Sequence, residues 1–245
     1  MEPRLIKREP LGKGFFVNVS ANHTFGTDAV LLSNFAAAKK KDKLVDLGTG
    51  CGIIPLLMLR DGALQKAVGV DISHEAALLA ERTRRELNIE RFEIIEGDLK
   101  NLKGRVEFGS NTLVTCNPPY KAPNGGIKNP SISAAVARHE IACTLRDIIE
   151  VSSKLLQTSG RLCMCHRPER LSELMRLMSE YGLEPKRLRL VCQRQNEEPW
   201  LVLVEAKKSA HTGLRIAPTL YIEENGHLTE EMIKIYGAYK EAYLK

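Results

Sequence analysis

Long apolar runs are missing from this 245-residue chain, aromatic residues make up only 5% of it, and tryptophan occurs once. No stretch approaches the roughly 20 apolar residues of a membrane span. Met1-Glu2-Pro3-Arg4 lacks the apolar core of a secretion signal, so a soluble, unexported, cytoplasmic protein is expected. CxxC is absent as well. The six cysteines, at 51, 116, 143, 163, 165 and 192, follow no regular framework and lie mostly in apolar stretches, which predicts reduced, buried thiols. Cys163 and Cys165 are expected to face opposite ways along a strand, as packing. No metal-ligand spacing joins His139 to His23, His74, His166, His211 or His227, so no metal is expected. Repeats, low-complexity tracts and linkers are lacking too. What is present is a 43% hydrophobic composition, enough for one large α/β core, and a formal charge of +6, which favours a polyanionic partner without a polycationic tail.

Along the chain, residues 1 to about 24 alternate around Gly12 and Gly14 and predict a hairpin. A helix follows, with Thr27 or Asp28 as its cap and Lys39, Lys40 and Lys41 at its C-terminal end, where cations complement the dipole. From Lys43 strands and helices alternate, which predicts a mainly parallel seven-stranded sheet with helices on both faces. Strands are expected at Leu44–Leu47, Ala67–Ile72, Phe92–Ile95, Thr112–Cys116, Arg161–His166, Leu188–Gln193 and Trp200–Glu205. Helices are expected near 53–60, 74–87, 141–156 and 169–181. Ser73 is the expected cap of the helix that buries Ala76, Leu79, Ala80, Thr83 and Leu87. The tail reads as a strand around Leu214 and Ile216, a turn at Asn225-Gly226, and a helix packing Met232, Ile235, Tyr236, Tyr239 and Tyr243. The expected organisation is an extension over 1–42 packed on a main domain over 43–245.

Asp46-Leu47-Gly48-Thr49-Gly50-Cys51-Gly52-Ile53 joins the first strand of that sheet to its helix, and its glycines admit a ligand close to the backbone. The spacing is G-x-G-x-G, with Ile53 where a dinucleotide loop has its third glycine, which leaves room for a smaller ligand. Asp71 ends the next strand, where a carboxylate can accept both hydroxyls of a ribose. Asp98 follows the third. Each also has a plainer reading: Asp46 and Asp98 as turn caps, Asp71 as the cap of the following helix. In order and spacing these positions resemble the Rossmann-like class I methyltransferases that use S-adenosylmethionine. That resemblance, over roughly 43–205, implies a cofactor set of Asp46, Gly48, Gly50, Gly52, Asp71, Ile72, Asp98 and Leu99, together with Asn117.

Asn117-Pro118-Pro119-Tyr120 follows the fourth strand. Proline fixes its own φ and has no N–H, so the segment stays extended, with carbonyl oxygens and the Asn117 amide oxygen free to accept and the Tyr120 ring free to stack. That suits gripping a planar NH2 group; the competing reading is a strand ending in a proline turn. With the glycine loop on the same sheet edge, the motif is similar to that of amino-directed methyltransferases, and the resemblance implies that Asn117, Pro118, Pro119 and Tyr120 hold the methyl acceptor. The segment from Lys121 to Pro130 reads either as a loop closing over a base, with Arg138 and His139 near a phosphate, or as a plain surface loop. Lys121, Lys128 and Arg138 are the candidate RNA contacts.

Asn-Pro-Pro-Tyr also serves enzymes acting on glutamine, DNA adenine and rRNA. Phe25-Gly26-Thr27-Asp28-Ala29-Val30-Leu31-Leu32, the short N-terminal extension and the Leu214-Arg215-Ile216 tail resemble the bacterial tRNA1(Val) adenine-N6 methyltransferase family over nearly the whole chain. The resemblance implies tRNA as partner and puts Thr27 and Asp28 at the methionine end of the cofactor. Thr49, Cys51 and the loop after Tyr120 depart from the family pattern. A glutamine-directed enzyme is expected to carry a helical domain ahead of the glycine loop. A cofactor-binding module without catalysis is disfavoured by the intact Asn117 and Tyr120.

Overall fold

The computed structural model describes residues 6–118, 143–237 and Tyr239. The chain opens on an antiparallel hairpin, β1 (Lys7–Gly12) and β2 (Phe15–Val19), followed by helix α1 (Thr27–Phe35). Leu11, Val17 and Val19 are buried, each side chain contributing about 1.5–3 kcal/mol. The residue that begins α1 is Gly26, with no side-chain cap, so neither Thr27 nor Asp28 plays the expected capping role. The last turn of α1 holds no basic residue. Ala37 adopts a left-handed φ of 44° and turns the chain off the helix axis before Lys39, which leaves the three lysines exposed beyond the dipole's reach.

Strands β3 (Lys43–Leu47), β4 (Lys66–Asp71), β5 (Phe92–Glu96), β6 (Asn111–Cys116) and β7 (Leu156–His166) are parallel and lie in the order β5-β4-β3-β6-β7. Beyond β7 the sheet turns antiparallel: β9 (Leu201–Lys208) lies between β7 and β8 (Leu183–Cys192). The two-residue strands β10 (Arg215–Ile216) and β11 (Leu220–Tyr221) pair with β8. The seven long strands and their mainly parallel order match the expectation; the two short edge strands extend it.

Helices cover both faces, which is why the central strands are mainly apolar, with Asp46 and Thr115 among their buried polar residues. Helices α1, α2 (Ile53–Arg60) and α3 (His74–Glu86) lie with the hairpin on one side, sharing a core with Leu44, Leu113, Cys163 and Cys165. Helices α4 (Leu145–Leu155) and α5 (Leu171–Glu180) pack on the other side against Val45, Leu47, Val114 and Met164. Residues two apart on a strand share a face, so Cys163 and Cys165 point the same way, and the expectation of opposite facing is corrected. Ser73 caps α3 by accepting from the Ala76 N–H, and a Thr144–Asp147 capping box begins α4.

The hairpin is tied to α3: the Asn18 N–H and amide donate to Thr83 Oγ1 at 2.9 and 3.1 Å, and Ser20 Oγ donates to Glu75 at 2.8 Å. The C-terminal carbonyls of α1 are held from the sheet. Arg161 donates to Ala36 O at 2.8 Å and pairs with Asp42 and Glu205, while Arg187 donates to Phe35 O and pairs with Glu205. In the tail, β12 (Glu223–Glu224) and β13 (His227–Leu228) flank the Asn225-Gly226 turn, with φ of 50° and 78°, and helix α6 (Glu230–Tyr236) buries Met232. Tyr236 and Tyr239 pack against the core as expected; Tyr243 lies outside the described residues.

Candidate active site at the C-terminal edge of the sheet

Five parallel strands end at one edge, and β3 lies between β4 and β6, with α2 after β3 and α4 beyond β6 on opposite faces. A crevice opens at such a switch point. Leading into it, Gly48 and Gly50 have φ of 70° and 55°, and a Cβ on either would meet nothing within 4 Å. Their backbones therefore present a bare cradle. Gly52 does different work: it begins α2, and a Cβ there would press on Phe92 and Ala80 at 3.2 and 3.3 Å. Cys51 in the same loop is buried, and burial pushes its thiol up to about 12, so it is inert packing. The loop itself hangs from β4, because the Gly48 and Thr49 N–H groups both donate to Val70 O at 2.9 Å.

Asp46 is 0% exposed. Its Oδ1 accepts from Thr115 Oγ1 at 2.5 Å, and its Oδ2 has no hydrogen-bond partner. Burial pushes the carboxyl up to about 7; the Thr115 hydrogen bond and the nearby Thr49 hydroxyl, which has no hydrogen-bond partner among the described residues, pull it down, and the Asp71 charge adds to the rise. Asp46 caps no turn. Oδ2 is thus an unpartnered, solvent-shielded carboxylate oxygen on the strand that leads into the glycine loop.

Asp71, 8% exposed, accepts from Gly50 N through Oδ2 at 2.7 Å and from Ser73 N through Oδ1 at 2.8 Å. It thus braces the glycine loop and the entry to α3, and each oxygen retains a lone pair for a hydroxyl donor. Ile72 beside it is 48% exposed at the strand end, an apolar platform next to the cradle. Asp98 does cap a turn, the 3-10 helix Leu99–Asn101, by accepting from Lys100 N at 2.9 Å. Its second oxygen lies 3.5 Å from Lys100 Nζ.

Asn117 and Pro118 follow β6 on the same edge, Asn117 half-buried and Pro118 buried. Asn117 Oδ1 accepts from the Cys165 thiol at 2.9 Å. Pro119, Tyr120, Lys121, Lys128, Arg138 and His139 lie outside the described residues. Thr27 Oγ1 lies 3.0 Å from Tyr236 Oη and lines a cleft of about 630 Å³ with Trp200, Gln193, Ile222 and Tyr236, while Asp28 Oδ1 accepts from Ala29 N at 2.9 Å.

Sequence reasoning missed Thr115 and Cys165. The period-2 alternation held the signal for the first, since Thr115 shares a strand face with Asn117 and pairs with Asp46 across β3 and β6. Among the described residues no group of three or more His, Cys, Asp or Glu could hold a metal ion, and no helix is long and apolar enough to cross a membrane.

The family described as methyltransferase small domain matches residues 20–181. The tRNA1(Val) (adenine(37)-N6)-methyltransferase of Parabacteroides distasonis is 29% identical over 208 residues, covering 81% of this chain and 86% of the relative. The protein of the same name from Photobacterium profundum is 24% identical over 222 residues, covering 89% and 90%. Among solved structures, a predicted O-methyltransferase from Agrobacterium tumefaciens superposes with a TM-score of 0.67 at 21% identity, covering 86% of this chain and 96% of that one. The geranyl diphosphate C-methyltransferase of Streptomyces coelicolor, solved with S-adenosyl-L-homocysteine, gives 0.56 at 16% identity, covering 74% and 80%. Both structural likenesses concern the fold.

Proposed function

Because the chain belongs to the methyltransferase small domain family, we propose that it moves a methyl group from S-adenosylmethionine to the exocyclic N6 of an adenine in tRNA, the anticodon-loop adenine of tRNA1(Val). The observation that carries this reading is the shared edge: Asn117 and Pro118 follow the strand beside the one that leads into the Asp46–Gly48–Gly50 cradle. Two relatives covering over four-fifths of the chain bear that activity in their names and support the choice of adenine. Six free cysteines, five of them buried, support a cytoplasmic setting.

S-adenosylmethionine supplies an electrophilic methyl on a sulfonium. The residues at the edge suit its parts: Asp46 Oδ2 for the amine, Asp71 for the ribose hydroxyls, Ile72 and Leu99 for the faces of the adenine, and Asp98 for its amino group. Thr27 and Asp28 close the methionine end. For the acceptor, Asn117 Oδ1 and the Pro118 carbonyl take the two N–H groups of the target amine. An exocyclic amino nitrogen has its lone pair delocalised into the ring and is a poor nucleophile. Two acceptors on its hydrogens favour a pyramidal nitrogen and stabilise the positive charge that develops as it attacks in line. The proton is then lost to water. Tyr120 stacks on the base, which must leave its own stack at a cost of a few kcal/mol, of which stacking returns about 1–3 kcal/mol. Lys121, Lys128 and Arg138 contact phosphates.

Nucleoside mass spectrometry of tRNA and rRNA from cells with and without the protein is the direct test. Loss of N6-methyladenosine from tRNA alone is expected; an unchanged tRNA profile, or a loss confined to rRNA, overturns the substrate. Asn117→Ala is expected to slow transfer about 100- to 1000-fold while cofactor affinity stays within about twofold. A comparable loss of cofactor binding would contradict its role.

A further inference from the structure

We propose that Cys165 is a positioning residue for the methyl-transfer step, its thiol selecting which end of the Asn117 amide faces the acceptor amine. This inference rests on the amino-directed reading of Asn117 above. Cys165 lies on β7 one residue past the last recorded β6–β7 pair, Cys116 with Met164, so strand register brings it beside Asn117. It is 0% exposed, and its Sγ donates to Asn117 Oδ1 at 2.9 Å.

A side-chain amide has an accepting oxygen and a donating NH2 of almost the same shape, and a half-turn about its last torsion exchanges them. With NH2 toward the acceptor amine, two donors would face each other and the developing positive charge would meet the wrong end of a dipole. A thiol is weak both as donor and as acceptor, and the Cys165 thiol donates here, which favours the amide oxygen on its side. The thiol itself is shut off from water. The thiol occupies one lone pair of Oδ1 and fixes the amide plane; the second lone pair is left for the amine. The same register places Cys163 two residues earlier, where its thiol lies 3.8 Å from Glu205 and has no such role.

Single-turnover transfer from labelled S-adenosylmethionine to an unmodified tRNA1(Val) transcript, alongside cofactor titration and thermal melting, separates positioning from packing. Cys165→Ala removes the donor and is expected to slow the methyl-transfer rate about 3- to 10-fold, the span of one neutral hydrogen bond, with cofactor affinity unchanged. Cys165→Ser restores a donor and is expected to recover at least half the wild-type rate, although a hydroxyl in an apolar core lowers its melting temperature below that of wild type. Activity and stability therefore move apart in the serine variant. A wild-type rate in Cys165→Ala, or a Cys165→Ser as slow as Cys165→Ala, overturns the positioning role while leaving the adenine reading intact. A wild-type protein that methylates no adenine in the transcript overturns both.

Discussion

Asp46 carries opposite demands in one carboxyl. Burial raises it from 3.8 to about 7, so the folded chain holds a proton that the unfolded chain has released across that interval. The resulting stabilisation is complete below about pH 4 and is lost as pH rises through about 7. A cationic amine at Oδ2 requires the ionised form, the one that costs the protein stability. Between about pH 8 and about pH 6, cofactor affinity is expected to fall as a proton competes for Asp46, measurable by isothermal titration. Asp46→Asn should flatten the pH dependence of thermal unfolding and raise ligand-free stability near pH 8, while weakening cofactor binding. Equal affinity for wild type at both pH values would remove the carboxylate from the binding role. The motif alone made Asp46 a candidate; its charge state was illegible there, because it depends on Thr115, 69 residues away, and on the closure of the core over both.

At the scale of elements, the glycine loop is shaped as much by β4 as by its own residues. Gly69 lies opposite Asp46 in the β3–β4 register, and a Cβ on it would approach Thr49 Cγ2 and Oγ1 at 2.8 Å. Gly69→Ala is expected to cost about 1–3 kcal/mol and to push the loop into its own cradle, lowering cofactor affinity. Thr49→Ala removes both atoms, so the double variant should recover part of the loss; simple additivity in a double-mutant cycle would show that the two do not touch. Gly69 drew no attention in the sequence because a glycine inside a strand has no pattern of its own until its neighbour is known. By contrast, α2 and α3 were legible almost to the residue, since Ser73, the loop glycines and an apolar periodicity agreed on them. The start of α1 was misread because Thr27 and Asp28 are good caps in isolation, whereas Gly26 occupies the position.

For the whole molecule, a ligand that binds only the folded chain adds about 2.7 kcal/mol when present at a hundred times its dissociation constant. That corresponds to about 5–10 °C in melting temperature for a chain of this size. Asp71→Ala should abolish the shift at the same cofactor concentration, apart from any fall in baseline caused by freeing Gly50 N. A full shift in that variant would refute the ribose assignment. The tethers of α1 bear on the order in which the chain is made. Its carbonyls are held by Arg161 and Arg187, 125 and 152 residues downstream, and Thr27 meets Tyr236 at a separation of 209. During translation, therefore, the strands bearing Asp46, Asp71 and Asn117 leave the ribosome long before α1 can be secured. A nascent chain stopped short of β8 has every polar group of the proposed chemistry, yet its first helix has Arg161 alone of its three tethers and still waits for Arg187 and Tyr236.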